Sequence, residues 1–274
     1  MNPSLYINLL KDTLSFSLWP EPPRPIGLAR STVSKSFVKR YIVPRVKSAL
    51  DRLGMELAVK STATREDRET GRIWPSYADT MVGRKRLDNI QFCVESVLKD
   101  NVPGDMIETG VWRGGSCILM RGILKAHDVT DRKVFVADSF EGLPPPTLEV
   151  DTHDIFYSHP YLAVSQENVA WNFKKYDLLD NQVVFIKGWF KDTLHLAPVD
   201  KLAVLRLDGD MYTSTMEALD PLYPKLSPGG FCIVDDYGNV EACKKAVTDY
   251  RARHNITEPI IDIDGAGVYW RKAF

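Results

Sequence analysis

The chain has 274 residues, 44% of them hydrophobic, and sets 35 Lys and Arg against 36 Asp and Glu. A chain of this length fits around one core, and the balanced charge excludes a disordered polyelectrolyte and a dedicated nucleic-acid binder. No apolar run approaches the roughly 18 residues that a membrane span needs, and Lys11 and Asp12 interrupt the apolar amino terminus, so a cytoplasmic protein without a signal peptide or membrane partner is expected.

Taken in chain order, Trp19-Pro-Glu-Pro-Pro-Arg-Pro25 makes the first 30 residues read as an extended arm, because proline blocks regular helix. In residues 31–60, Phe37, Tyr41, Val46, Leu50 and Leu53 recur at helical spacing among many Lys and Arg. That pattern predicts a helix pair that covers the core or forms the interface of a homo-oligomer, dimer or higher. Residues 1–60 are thus an N-terminal arm and helical segment, 61–78 a polar, mobile lid loop, and 79–274 the main domain.

That domain opens with a helix from Asp79, with Met81, Leu87, Ile90, Cys93, Val94 and Val97 on one face, which ends before Pro103-Gly104. Strand 105–109, helix 116–127, strand 133–138 and a long irregular stretch follow. Strands 183–187 and 202–208, a helix around 215–226, strand 230–235, helix 240–254 and strands 259–263 and 267–271 complete the series. Such alternation predicts an α/β fold, a seven-stranded, mostly parallel sheet with helices on both faces and a terminal antiparallel strand. The cysteines Cys93, Cys117, Cys232 and Cys243 form no C-x-x-C pair and read as reduced core thiols.

Three constellations carry chemistry. Glu108-Thr-Gly110-Val-Trp112-Arg113-Gly114-Gly115 follows an apolar strand and opens a helix. Its glycines permit close approach of backbone to ligand, while Glu108 disfavours a pyrophosphate and suits a cationic ligand. Asp138, ending the next strand, is placed to accept ribose hydroxyl hydrogens. Asp208-Gly-Asp210 and Asp235-Asp236 end two further strands whose carboxyl ends share one edge, so four carboxylates converge there. Their repulsion calls for a hard divalent cation, Mg²⁺ being the economical choice. A D-x-D glycosyltransferase, or a non-catalytic binding protein on the same fold, is the alternative reading.

Several blocks resemble the macrocin O-methyltransferase family: Trp74-Pro75, Ala78, Thr80-Met81, Gly83, Arg86-Leu87, Asn89, Val102-Pro-Gly-Asp105, the Glu108 turn, and Ala137-Asp-Ser-Phe-Glu-Gly-Leu-Pro144. So do Lys187-Gly-Trp-Phe-Lys-Asp-Thr-Leu194, Leu207-Asp-Gly-Asp-Met-Tyr212 and Asp235-Asp-Tyr237. The resemblance implies a Rossmann-like class I methyltransferase that uses S-adenosylmethionine, releases S-adenosylhomocysteine, and with Mg²⁺ methylates a sugar hydroxyl of a glycosylated natural product of antibiotic type. It implies Asp208, Asp235 and Asp236 as metal ligands and Asp210 as general base. Contacts to S-adenosylmethionine are implied from Thr80, Met81, Glu108, Gly110, Val111, Trp112, Asp138, Ser139, Ser165, Gly188, Trp189, Phe190 and Asp208. In the mechanism expected, two neighbouring sugar hydroxyls chelate the ion and Asp210 takes the proton of one of them. His153 and His159 are rival bases, and Phe156, Tyr157, Tyr161 and Trp171 are candidates for an acceptor pocket. Residues 61–78 and 144–168 are the segments expected to close.

Overall fold

The computed structural model describes residues 3–25, 43–56 and 58–273. It begins with a helix, α1 (Pro3–Leu14), followed by β1 (Arg24–Pro25), α2 (Val43–Asp51), β2 (Ala58–Val59), α3 (Arg65–Glu69) and α4 (Arg84–Lys99). The domain then runs β3 (Asp105–Thr109), α5 (Gly115–Ala126), β4 (Val134–Asp138), α6 (Gln166–Lys175), β5 (Val183–Lys187), α7 (Phe190–Thr193), β6 (Leu202–Leu207) and α8 (Tyr212–Leu222). It closes with β7 (Leu226–Val234), α9 (Glu241–Arg253), β8 (Ile261–Asp262) and β9 (Val268–Arg271).

The main sheet has the order β5-β4-β3-β6-β7-β9-β8. Strands β3 to β7 pair in parallel, and β9 runs antiparallel to both β7 and β8. This is the expected seven-stranded sheet. Its parallel strands are nearly continuous buried apolar runs, as the covering of both faces demands. On one face Ile90, Val94, Ile118, Met120, Val136 and Val204 share a core. On the other, Phe135, Leu205, Leu219, Val234, Val247 and Trp270 share a second.

Four expectations are corrected. Residues 3–14 are not an extended arm: Ile7, Leu10 and Leu14 are buried against the first core, and Leu10 lies over Gly122 of α5. Their spacing of three and four puts one apolar stripe toward the sheet, and the prolines that suggested an arm begin only after the helix has ended. Helix α4 starts at Arg84 rather than Asp79, because Asp79 is drawn into the interior, where its carboxylate accepts from Lys175 Nζ at 2.8 and 2.9 Å and from the Tyr176 hydroxyl at 2.7 Å. The irregular stretch contains α6, started by Ser165, whose side chain accepts from the Asn168 N–H. The helix expected around 215–226 is α8, which starts earlier at Tyr212 and stops at Leu222, one residue after Pro221.

Of the helix pair expected in 31–60, Phe37 and Tyr41 lie outside the described residues; α2 leaves Val46 exposed, and Leu53 beyond it is exposed too. Residues 61–78 are pinned at several points. Arg68 is buried, paired with Glu21 at 3.0 Å and donating to the Phe16 and Trp19 carbonyls, while Glu21 also accepts from the Ser76 N–H at 2.9 Å. Among the described residues, no helix is long and apolar enough to cross a membrane.

Candidate active site

The strand order reverses between β4-β3 and β6, and in open α/β sheets a ligand crevice forms at the carboxyl edge of such a switch point. A cleft of about 400 Å³ lies there. Gly110, Trp112, Asp138, Ser139 and Trp189 form one part of its wall, Asp208, Gly209, Asp210 and Met211 another, and the loop after Gly142 a third.

The glycine turn is shaped by contact with β6. Gly110 has φ 84°, and a Cβ there would sit 1.7 Å from the Asp208 carbonyl oxygen, so no other residue fits. Asp138 holds the turn from the neighbouring strand: its carboxylate accepts from the Val111 N–H at 2.7 Å and from the Phe140 N–H at 2.7 Å. Trp112, at φ 48°, has the Arg113 guanidinium 4.2 Å from its ring centroid, and its indole N–H donates to the Tyr161 carbonyl at 3.0 Å.

The acids converge as expected. Asp208, Asp235 and Asp236 each offer an oxygen lying within 4.8 Å of the other two. Burial, followed by repulsion from neighbouring acids, raises the carboxyls of Asp208, Asp210 and Asp236 above the ordinary range. Asp236 Oδ2 is buried without a hydrogen-bond partner. An orphaned carboxylate oxygen among oxygen donors is what a hard divalent cation satisfies, so these residues fit such an ion. Asp210, at φ 55°, lines the cleft beside them.

Two arginines to which the sequence reading gave no role sit beneath the acids. Arg206, 0% exposed, sends one guanidinium nitrogen to Glu108 and to Asp208 (2.8 Å to the latter), and another to Asp235. Arg86, from the first turn of α4, joins Asp235 to Asp264, 3.0 Å away on the β8–β9 connection. The signal for Arg206 was available: it is the one charged residue within the apolar strand Leu202–Leu207. Its partners were not, because they depend on which strands are neighbours.

Other expected site residues are distributed unevenly. Met81, Gly110, Trp112, Asp138, Ser139, Trp189, Phe190, Asp208 and Asp210 all face the cleft. Thr80, Glu108, Val111, Ser165, Gly188, Asp235 and Asp236 do not line it. Thr80 is buried and accepts from the Val82 N–H at 3.2 Å, Val111 is held through its N–H by Asp138, and Ser165 is the cap of α6. Gly188 donates its N–H to the Asp138 carbonyl at 2.9 Å and so supports the floor behind Trp189.

Glu108, expected beside a cationic ligand, has protein partners as well. Its side chain points into the sheet's covered face, where Arg206 engages one oxygen and the Cys117 thiol donates to the other at 2.9 Å. Burial pushes its carboxyl up to about 7 despite Arg206. The rival bases are displaced too: His153 is exposed, and His159 lies edge-on to Trp74 at 5.6 Å, neither of them at the cleft. Of the aromatic candidates, Trp171 is 61% exposed, while Phe156 and Tyr161 gather around Trp74 instead of lining the cleft.

The sequence profile of the family described as Macrocin-O-methyltransferase (TylF) matches residues 3–272. The chain belongs to that family. It is 58% identical, over 212 residues, to the 8-demethyl-8-(2,3-dimethoxy-alpha-L-rhamnosyl)-tetracenomycin-C 4'-O-methyltransferase of Streptomyces olivaceus, covering 75% of this chain and 80% of that one. It is 52% identical, over 224 residues, to the mycinamicin III 3''-O-methyltransferase of Micromonospora griseorubida, covering 79% and 87% respectively. A solved structure of the O-methyltransferase NovP superposes with a TM-score of 0.84 at 46% identity, covering 99% of this chain and 100% of that one. The protein is therefore an O-methyltransferase on the class I fold, and the glycosyltransferase reading of Asp208-Gly-Asp210 is set aside. The family profile begins at residue 3, consistent with α1 being part of the core.

Proposed function

We propose that this O-methyltransferase carries a methyl group from S-adenosylmethionine to a sugar hydroxyl of a glycosylated natural product of antibiotic type. The observation that carries the reading is one continuous cleft. It runs from the Gly110 turn and Asp138 to Asp208 and Asp210 beside the acid cluster. The relatives named for a rhamnosyl 4'-O position and for a 3''-O position support a sugar acceptor, and their differing positions leave the choice of hydroxyl to the loops.

S-adenosylmethionine would supply an electrophilic methyl, and the Gly110 turn and Trp189 are among the residues that would hold it. Asp208, Asp235 and Asp236 would hold Mg²⁺, whose charge makes a sugar hydroxyl easier to deprotonate. Asp210 faces the cleft and accepts the hydroxyl proton. Leu143, Pro144, Pro145, Leu162 and Met211 keep water from the transfer region.

Two measurements test this reading. Titration calorimetry should show S-adenosylhomocysteine binding, and mass spectrometry of a panel of glycosylated acceptors should show a mass gain of one methyl group. Binding of a nucleotide sugar without S-adenosylhomocysteine would overturn the assignment of donor. Dialysis against EDTA should abolish turnover and lower the Tm, with Mg²⁺ restoring both, since the ion relieves repulsion among buried carboxylates. Full activity after chelation would remove the ion from the mechanism.

A further inference from the structure

Helix α8 starts two residues after Asp210, at Tyr212, and its N-cap is Met211, which has no oxygen to offer the free N–H groups of the first turn. A carboxylate from elsewhere does so. Asp151, 1% exposed and 61 positions away from Tyr212, accepts the Tyr212 N–H at 2.7 Å through Oδ1. Through Oδ2 it accepts the Thr213 N–H at 3.1 Å and the Thr213 hydroxyl at 2.6 Å. Asp151 belongs to the loop of short 3-10 turns between β4 and α6, and that loop walls the cleft through Leu143, Pro144, Pro145, Pro146, Thr147 and Leu162.

Asp210 stands between the end of β6 and this remotely capped turn, in a left-handed conformation that is uncommon for a residue other than glycine. We propose that Asp151 is a positioning residue that couples seating of residues 144–168 over the cleft to the setting of the Asp210 turn. The physical reason is reciprocal. With the loop lifted, the first turn of α8 loses its cap and the turn carrying Asp210 loses its support. With α8 frayed, a buried carboxylate loses all three of its donors and the loop has nothing to hold it down. The enzyme thereby sets its base only when the wall of the acceptor cleft is in place. The catalytic part of this inference rests on the reading of Asp210 as the base; the coupling itself does not.

Hydrogen exchange read by mass spectrometry tests it without turnover. In Asp151→Ala, protection should fall together in residues 144–168 and 211–216, while kcat drops roughly 10- to 100-fold, the scale of a misplaced group, and affinity for S-adenosylhomocysteine stays within about twofold. Thr213→Val, which removes one of the three donors and spares the fold, should shift both segments in the same direction by less. Loss of protection confined to 211–216 would make Asp151 a plain helix cap and overturn the coupling, as would unchanged exchange in both segments. Failure of the base assignment would show separately, as an Asp210→Asn enzyme with undiminished kcat.

Discussion

Arg206→Met is expected to destabilise the protein by about 3–5 kcal/mol, the usual cost of stripping the partner from buried charges. For a chain of this size that corresponds to a fall in Tm of roughly 10 °C. The reason lies in its three partners. Glu108, Asp208 and Asp235 sit at the ends of β3, β6 and β7, which are adjacent strands, and the guanidinium between them is completely buried. Methionine matches much of the arginine stem but leaves three carboxylates facing one another in low dielectric. Arg206→Lys keeps the charge and loses the fork, since one ammonium cannot span the three carboxylates in the same geometry; an intermediate loss is expected. Thermal denaturation followed by circular dichroism measures both. A Tm within about 2 °C of the parent for the methionine variant would show that these carboxylates are compensated by something other than Arg206.

Asp210→Asn should lower kcat by about 10² or more, the scale of a lost general base, with affinity for S-adenosylhomocysteine retained because the amide has the carboxylate's size. Its effect on stability should have the opposite sign. Burial, Asp208, Asp154 and Asp235 all disfavour the charged form of Asp210 in the folded protein, so a neutral residue there relieves repulsion and the Tm should hold or rise. A site that gives up stability for function is expected to respond in this way. The pair of measurements discriminates well. A fall in kcat together with a fall in Tm would mean that Asp210 supports the fold, and an unaltered kcat would exclude it as the base.

Much of the architecture was legible because hydrophobic periodicity and strand ends are local signals. The apolar runs at 105–109 and 183–187 coincide with β3 and β5, and the convergence of Asp208, Asp235 and Asp236 follows from parallel strands joined by helices. What failed did so for identifiable reasons. Proline density around residues 20–25 concealed the amphipathic spacing of Ile7, Leu10 and Leu14 just before it. The helix that Ser165 caps went unread within the irregular stretch, although its oxygen accepting from the Asn168 N–H needs only a helix start. The partners of Glu108 were not legible either, since strand alternation and strand order turned its side chain to the face of Arg206 and Cys117.

The class of sheet, the glycine turn at 110 and the acid edge depend on residues close in the chain or on the general rule that parallel strands share a carboxyl end, and so could be read from the residues alone. How those acids are neutralised and braced depends on contacts between distant parts of the chain. Arg86 reaches Asp235 from 149 positions away, and Asp151 reaches Tyr212 across 61. Such pairings are set by which strands and loops pack side by side, and in a buried, low-dielectric site the partner of a charge decides what that charge can do.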